Sequence, residues 1–181
     1  NRISEVRSQI EEQQKNNEQI ISRAKLSILE EQKEKIGLSI NKGQGITLFL
    51  DDSPGGKRDL SVEGDESLVQ AADLRDIVNF LRTSGADAIS INQQRIIASS
   101  SISAVGASIL VNNFHLTPPF VINAVADPDF IFQRFQENSV LSDLKSRVQK
   151  LQMPLTLKRE EQVVLPAFSG NIQFHFLKSK A

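Results

Sequence analysis

The sequence predicts an α+β protein in which a long N-terminal helix precedes a mixed, mostly antiparallel sheet with helices on one face. Residues 1–36 contain no Gly, Pro or aromatic residue and are rich in Glu, Gln, Lys, Arg and Ile, which favours one continuous helix. Beyond Gly37, short apolar runs outnumber helical patterns, and tight turns separate many of them. We therefore expect a helical stalk or coiled coil over residues 1–36 and an α/β globular domain over 37–181, and this order is compatible with a ferredoxin-like core.

Composition excludes several classes of function. The 181 residues carry a net charge of −1, whereas a nucleic-acid binder with a broad electropositive face is normally strongly basic. Cysteine is absent, which excludes disulfides, thiolate nucleophiles and cysteine-based zinc sites. No stretch approaches the roughly 20 apolar residues of a membrane-spanning helix. The chain begins at Asn1 within a polar helical pattern, so we expect that a segment upstream has been removed or left out.

The predicted stalk has one thin apolar stripe with heptad spacing. Gln13 and Asn17 interrupt it at positions that should be apolar. Two interpretations remain open: a solvated, partly frayed stalk, or a weak coiled coil in which Asn17 fixes the register at a cost in stability. We favour the coiled coil, with a weak dimer as its state. The stripe consists of Ile3, Val6, Ile10, Ile20 or Ile21, Ala24 and Ile28.

The first half of the domain predicts a strand, a loop and a helix. Ile46–Leu50 is an apolar strand, and residues 51–65 form a turn-rich loop. Ser67 and Gln70 have capping-box spacing, so we expect the helix to begin at Ser67 and to end at Gly85.

The second half predicts two hairpins, two helices and further strands. Asn92-Gln93-Gln94 and Asn112-Asn113 are the predicted hairpin turns, because Asn tolerates a positive φ. Asp127 caps a helix with Pro128 at its first position, and a later helix ends before Pro154. The predicted strands are Ala88–Ile91, Arg95–Ala98, Ser108–Val111, Phe114–Leu116, Phe120–Val125, Leu155–Leu157, Val163–Leu165 and Ile172–Leu177.

No combination of residues indicates a catalytic site. A nucleophile needs an adjacent base and a group that orients the base. His115 and His175 are the only histidines, and both are interpreted as surface or strand-edge residues that lack the spacing of paired metal ligands. We therefore predict no enzyme and no catalytic, cofactor-binding or metal-binding residue. The other candidates are interpreted as loop, cap or turn residues: Ser99, Ser100, Ser101, Ser103, Asp51, Asp52, Asp127, Asp129, Glu160 and Glu161.

An ordered series of motifs resembles a bacterial family of unknown function. Its centre is the stretch from Gly85 to Ile96, which is similar to the family core Gly-Ala-x-Ala-Ile-Ser-Ile-Asn-Gly-x-Arg. This is family eight-eight-one of bacterial domains of unknown function, typified by YlxW and YlxX and sometimes labelled division initiation protein. Gln93 stands where the family tends to have Gly, so a positive φ at that turn would be strained. The resemblance spans roughly Ile46 to Phe176 and continues through Ile109–Asn112, Pro118–Ile122, Ala126–Pro128 and Leu165–Ala167.

The resemblance implies a layout and a class of function. It implies a membrane-anchored protein with a single span upstream of Asn1, a coiled-coil stalk and a domain outside the cytoplasm, mostly in Gram-positive bacteria, with a link to cell division or the envelope. We expect a non-enzymatic scaffold that self-associates through residues 1–36, uses no cofactor and binds no nucleic acid. Its expected partners are divisome or envelope proteins. Arg95 either contacts a partner or donates an interior hydrogen bond to a loop carbonyl, and we favour the second.

Two rival functions remain. One is a sensor of a small ligand or wall fragment, with a cleft between the hairpins and the helix that starts at Asp127. The other is a hydrolase that uses His115 with one of the serines.

Overall fold

The computed structural model describes residues 2–56, 65–106, 108–137 and 139–170, without the side chains of residues 3–9. The predicted α+β class with a long N-terminal helix is confirmed. The four helices are α1 (Arg2–Lys35), α2 (Ala71–Thr83), α3 (Pro128–Gln136) and α4 (Ser142–Leu151). The strands are β1 (Asn41–Leu50), β2 (Ala88–Ile91), β3 (Gln94–Ile96), β4 (Ile102–Val105), β5 (Ser108–Val111), β6 (Phe114–Leu116), β7 (Phe120–Val125) and β8 (Leu155–Leu165).

The described strands form two antiparallel sheets. The larger has the order β3-β2-β7-β1-β8, and the smaller has the order β4-β5-β6. If β3 and the smaller sheet are set aside, the chain runs β1-α2-β2-β7-α3/α4-β8. This is the β-α-β-β-α-β sequence of a ferredoxin-like core, with the smaller sheet inserted between its second and third strands.

The helices α2, α3 and α4 pack on one face of the larger sheet. Alternate residues of β1 and β7 point to this face and are fully buried, as are the inward residues of α2. One core therefore joins the larger sheet to the helices, and the smaller sheet adds Ile109 and Val111 to it. The fully buried sheet and α2 residues include Ile46, Leu48, Leu50, Leu74, Ile77, Leu81, Phe120 and Ile122.

The stalk helix ends in a glycine turn. Gly37 has φ +80°, its N–H donates to Glu34 O at 3.0 Å, and the N–H of Leu38 donates to Lys33 O at 2.7 Å. This pair of bonds is a Schellman motif, which terminates a helix at a left-handed residue. None of the four described helices combines the length with the apolar character that crossing a lipid bilayer requires.

Strand β1 begins at Asn41, five residues before the predicted start at Ile46. Gly43 and Gly45 both lie inside the strand. A Cβ at Gly45 would lie 1.9 Å from the carbonyl oxygen of Ala124 on β7. The glycine therefore allows the backbones of β1 and β7 to approach closely, which is one reason for a glycine inside a strand.

The predicted start of α2 at Ser67 is wrong. The helix begins at Ala71, and its N-cap is Gln70, whose N–H donates to the Asp73 carboxylate at 2.7 Å. The N–H of Ser67 instead donates to Asp65 Oδ1, within a turn that precedes the helix. The Glu66 and Leu68 carbonyls accept from the Arg147 guanidinium, which holds this turn outside the helix.

Both hairpins form where predicted. The first turn consists of Asn92 and Gln93, with φ +43° and +66°, and the second of Asn112 and Asn113, with φ +50° and +70°. The positive φ expected to strain Gln93 is therefore present. Strand β3 is shorter than predicted, and β4, which includes Ser103, was not predicted.

The predictions for the end of the chain need one correction. Leu155–Leu157 and Val163–Leu165 are the two ends of one strand, β8, so Glu160 and Glu161 lie in a strand and not in a turn. Between the pairs Gly43–Val163 and Gly45–Glu160, two residues of β8 lie opposite one residue of β1, so the extra residue forms a bulge. The predicted strand Ile172–Leu177, with His175, lies outside the described residues.

Candidate interaction site at the stalk and its junction with the domain

The stalk exposes apolar side chains along its described length. Every residue from Ile10 to Ile36 is exposed, and the large apolar side chains among them are 46–63% exposed. The core of the domain is complete without them. Exposed apolar area of this extent on one element is typical of an interaction surface. The exposed apolar residues of α1 and its C-terminal turn are Ile10, Ile20, Ile21, Leu26, Ile28, Leu29 and Ile36.

Arg95 fastens the end of the stalk to the domain. Its guanidinium is buried at 4% exposure, and Nη1 donates to Ser39 O at 3.3 Å and to Pro166 O at 3.2 Å. The N–H of Phe168 donates to Gly37 O at 2.9 Å and adds a backbone tie. The interpretation of Arg95 as a donor to loop carbonyls is thus confirmed. We call Gly37, Ser39, Arg95, Pro166 and Phe168 the junction.

Among the described residues, no carboxylate lies within salt-bridge distance of the buried Arg95 cation at the junction. Burial lowers the pKa of Arg95, and the charge of Glu34 opposes this shift. Within the part of the chain that the structure describes, Nε of Arg95 and the buried hydroxyls of Ser39 and Ser90 have no hydrogen-bond partner. A Cβ at Gly37 would approach Ile97 Cγ2 to 2.6 Å, so only glycine fits there without a shift.

Residues of the family-like motifs meet around the same hairpin. Asn112 Nδ2 donates to Arg95 O at 2.7 Å, which ties the second hairpin turn to β3. The Asn92 side chain donates to Pro119 O at 3.1 Å and accepts from the N–H of Val121 at 2.6 Å. The motifs, distant in sequence, therefore support one structure that positions Arg95.

A buried ion pair between Arg147 and Asp73 was not foreseen from the sequence. Nη1 of Arg147 donates to Asp73 Oδ1 at 2.8 Å, and its side chain also donates to the carbonyls of Glu66 and Leu68. Burial raises the pKa of Asp73, while the Gln70 N–H and Arg147 oppose this shift. The pair joins α4 to the start of α2. No sequence signal identifies it, because its partners are 74 residues apart or are backbone carbonyls.

His115 lies beside a serine on the smaller sheet. Its Nδ1 is 3.0 Å from Ser108 Oγ, and the same hydroxyl donates to Val105 O at 3.1 Å. A hydroxyl has one proton. When Val105 O accepts it, Ser108 must accept from the imidazole, and then His115 does not act as its base. This geometry differs from that of an activated serine.

Three of the remaining polar candidates, Asp127, Asp129 and Asp52, make hydrogen bonds or ion pairs that hold the fold. The Asp127 carboxylate caps α3 by accepting from the N–H groups of Asp129 and Phe130. Asp129 pairs with Arg159 at 3.0 Å on the surface. Asp52 accepts from the N–H of Val69. Across the described ranges, no group of three or more His, Asp or Glu side chains is placed to hold a metal ion.

One cleft lies between α2 and the connection from α3 to α4. Its volume is about 340 Å³, which is within the usual range for small-ligand sites. The sequence suggested a cleft beside the hairpins and α3, but α3 packs against β1 and β8. The cleft is lined mainly by Asp76, Asn79, Phe80, Arg134, Leu141 and Asp143.

Comparison with known proteins identifies the relatives of this chain. The model of the bacterial protein family of unknown function DUF881 matches residues 28–178. The UPF0749 protein Rv1823 of Mycobacterium tuberculosis is 31% identical over 131 residues, which are 69% of this chain and 42% of that protein. The UPF0749 protein YlxW of Bacillus subtilis is 30% identical over 93 residues, or 50% of this chain and 38% of that protein. The matched part is thus less than half of either relative.

A solved structure has the same fold. The crystal structure of an uncharacterized conserved protein from Mycobacterium tuberculosis superposes with a TM-score of 0.63 and covers 82% of this chain and 96% of that one. The sequences are 21% identical in this alignment, so the likeness concerns the fold.

Proposed function

We propose that this chain, which belongs to the DUF881 family of bacterial proteins of unknown function, is a non-enzymatic interaction module that pairs weakly through its stalk. The observation that carries the proposal is the number of large apolar side chains on α1 that are each about half exposed, while the domain core is complete without them. A second copy of the stalk supplies the apolar surface that such a helix lacks alone. The pairing is weak because polar residues interrupt the stripe.

The cellular setting belongs to the same proposal. The resemblance to membrane-anchored proteins with an outward-facing domain supports an extracytoplasmic location, with an anchor in a part of the protein upstream of Asn1. Anchoring two copies in one membrane raises their local concentration, so that weak pairing suffices. Divisome or envelope proteins are the proposed partners of the domain.

Sedimentation of the whole chain over a range of concentrations tests this function. We expect a monomer and a dimer in concentration-dependent exchange. Ser27→Pro breaks the helix within both candidate faces, and it should abolish the dimer. Ser27→Ala is the control and should leave the dimer intact. A wild-type chain that remains monomeric, or an oligomer that Ser27→Pro leaves unchanged, contradicts the proposal.

The cleft of about 340 Å³ between α2 and α4 favours one alternative, the sensing of a small ligand. Arg134 lines it; among the described residues its buried Nε has no hydrogen-bond partner and forms only a long ion-pair contact with Glu137 Oε2 at 3.8 Å. Thermal-shift measurements with wall fragments and nucleotides test this function. A saturable shift that disappears in Arg134→Ala supports the sensor, and no shift with either class removes it.

The non-enzymatic part of the proposal has its own test. We expect no turnover of ester or peptide substrates above that of buffer. Turnover by the wild-type chain that is lost in His115→Ala would overturn this part, with Ser101→Ala as a comparison outside the His115–Ser108 contact.

A further inference from the structure

We infer that the part of the stalk next to the domain pairs with a second, parallel copy through a seam formed by Leu26, Leu29, Lys33 and Ile36. The inference rests on the self-association proposed above and names the face that carries it. This face differs from the stripe through Ile20, Ala24 and Ile28 that the sequence suggested.

The seam has the spacing of a two-stranded coiled coil. Leu26, Leu29, Lys33 and Ile36 are separated by three, four and three residues, which is the alternation of a and d positions. The three apolar members are 58%, 46% and 53% exposed. Ile28 precedes Leu29 and points about 100° away, so both cannot lie at the centre of one two-stranded contact.

Charge complementarity distinguishes the two faces. In a parallel pair, a g position faces the e position five residues further along the partner. With Leu26 at a and Leu29 at d, Lys25 faces Glu30 of the second copy, and Glu18 faces Arg23. Both pairs join opposite charges, and all four side chains are exposed in the single chain.

The register through the stripe that the sequence suggested has no such pairs of opposite charges. With Ile21 at a, Ala24 at d and Ile28 at a, Ile20 faces Lys25 of the second copy, and Ser27 faces Gln32. Neither pair joins opposite charges. The register through Leu26 is therefore favoured where the two compete.

Two further features fit the seam. Ser22 lies at a d position of this register, where its small side chain leaves room for a side chain of the second copy. The ion pair between Lys35 and Glu31, at 2.6 Å, lies on the opposite face, with Glu31 at an f position, so pairing leaves it undisturbed. Lys33 at an a position weakens the contact and fixes its register.

The seam reaches the base of the domain. Ile36 lies at the turn that ends the helix, and Ile40, at the start of the domain, is also exposed. Contact through Ile36 holds two domains side by side in a parallel arrangement.

Because the chain contains no cysteine, single substitutions map the contact directly. The paired d positions of a parallel coiled coil lie within disulfide reach. Under mild oxidation of the whole chain, we expect Leu29→Cys to form covalent dimers at least fivefold faster than Ile28→Cys. Glu31→Cys, on the outer face, is the background control.

Charge reversal tests the register independently. Glu30→Lys places Lys against Lys25 and should raise the dimer dissociation constant about fivefold, and Lys25→Glu should do the same. The double variant Lys25→Glu/Glu30→Lys should restore the wild-type constant. Glu31→Lys changes the net charge equally and should leave the constant unchanged.

The outcomes separate the seam from the proposed function. If the chain dimerises but Ile28→Cys cross-links faster than Leu29→Cys, or the double charge variant fails to restore pairing, the seam is wrong and self-association stands. If the wild-type chain is monomeric and no cysteine variant cross-links above Glu31→Cys, both are overturned.

Discussion

Gln93 holds a backbone angle that costs a residue with a Cβ more than it costs glycine. Its φ is +66° in the two-residue turn between β2 and β3. Relief of the steric cost exceeds the added chain entropy of glycine. We expect Gln93→Gly to raise the free energy of unfolding by about 1 kcal/mol, measured by chemical denaturation.

The neighbouring residue provides the control for Gln93. Gln94 lies in β3, where glycine weakens a strand. We expect Gln94→Gly to lower the free energy of unfolding by about 0.5–1 kcal/mol. Changes of the same sign at both positions would show that φ at Gln93 does not determine the effect.

Arg147 and Asp73 form a pair whose side chains are 9% and 6% exposed. Arg147→Ala leaves the Asp73 carboxylate buried without its cation, and it removes the donor to the Glu66 and Leu68 carbonyls. We expect a loss of about 3–5 kcal/mol in the free energy of unfolding, again from chemical denaturation.

Arg134 is a matched arginine for comparison. It is partly exposed and lies 3.8 Å from Glu137. Arg134→Ala should cost about 1 kcal/mol or less. Equal losses at the two arginines would contradict the importance assigned to the buried pair.

Among the elements, the sequence predicted those with local signals. The Asn-rich turns, the Asp127 cap and the glycine end of α1 each follow from the preference of a residue for one conformation. The predicted ends of helices and strands were wrong where tertiary contacts determine at which residue the element stops. Lys158 to Gln162 look like a turn, yet β8 continues through them, since polar side chains are tolerated at a sheet edge beside β1.

In the candidate site, too, some residues could be predicted from the sequence and others could not. Arg95 could be identified from the sequence because it stands in a distinctive motif. The sequence also predicted that it donates to loop carbonyls, but not which carbonyls these are. The proposed seam through Leu26 and Leu29 was not predicted from the sequence, because the stripe through Ile20 and Ile28 has equally large side chains. The role of Arg147 could not be predicted from the sequence, because its partners come close only after folding.

The contact between β1 and β7 depends on the glycine at position 45. A Cβ there would lie 1.9 Å from a backbone oxygen, which cannot rotate away. We expect Gly45→Ala to lower the free energy of unfolding by about 3 kcal/mol, measured by thermal and chemical denaturation.

Gly43→Ala is the comparison for Gly45→Ala. Its Cβ would lie 3.0 Å from a side-chain methyl of Val125, which adjusts more easily than a backbone. We expect it to cost at most about 1 kcal/mol. The assignment of Gly45 fails if the two variants are equally stable.

For the molecule as a whole, the junction determines how firmly the stalk is attached. Arg95→Met removes both hydrogen bonds from Nη1 while keeping most of the volume. Hydrogen bonds from a charged donor contribute about 1.5–3 kcal/mol each. We therefore expect the amide of Phe168, which donates to Gly37 O, to exchange with solvent at least about tenfold faster.

Arg75→Met is the control for the junction. Arg75 is an exposed arginine that donates to Ile102 O at 3.0 Å, away from the junction. Its loss should leave the exchange of the Phe168 amide unchanged. Faster exchange at Phe168 in both variants would indicate a general loss of stability.

Because α1 is 34 residues long, a small rotation at the junction moves the far end of the helix a long way. At a rise of about 1.5 Å per residue, a tilt of roughly 5° at Gly37 displaces the far end of the helix by about 4 Å. Small movements of the Ser39 and Pro166 carbonyls around Arg95 are therefore amplified along the lever. Conversely, a force on the far end of α1 produces a large torque at the junction. There it is resisted by the two hydrogen bonds of Arg95 and by the bond from the Phe168 N–H to Gly37 O. We therefore expect the junction to open under such a force before the core of the domain does.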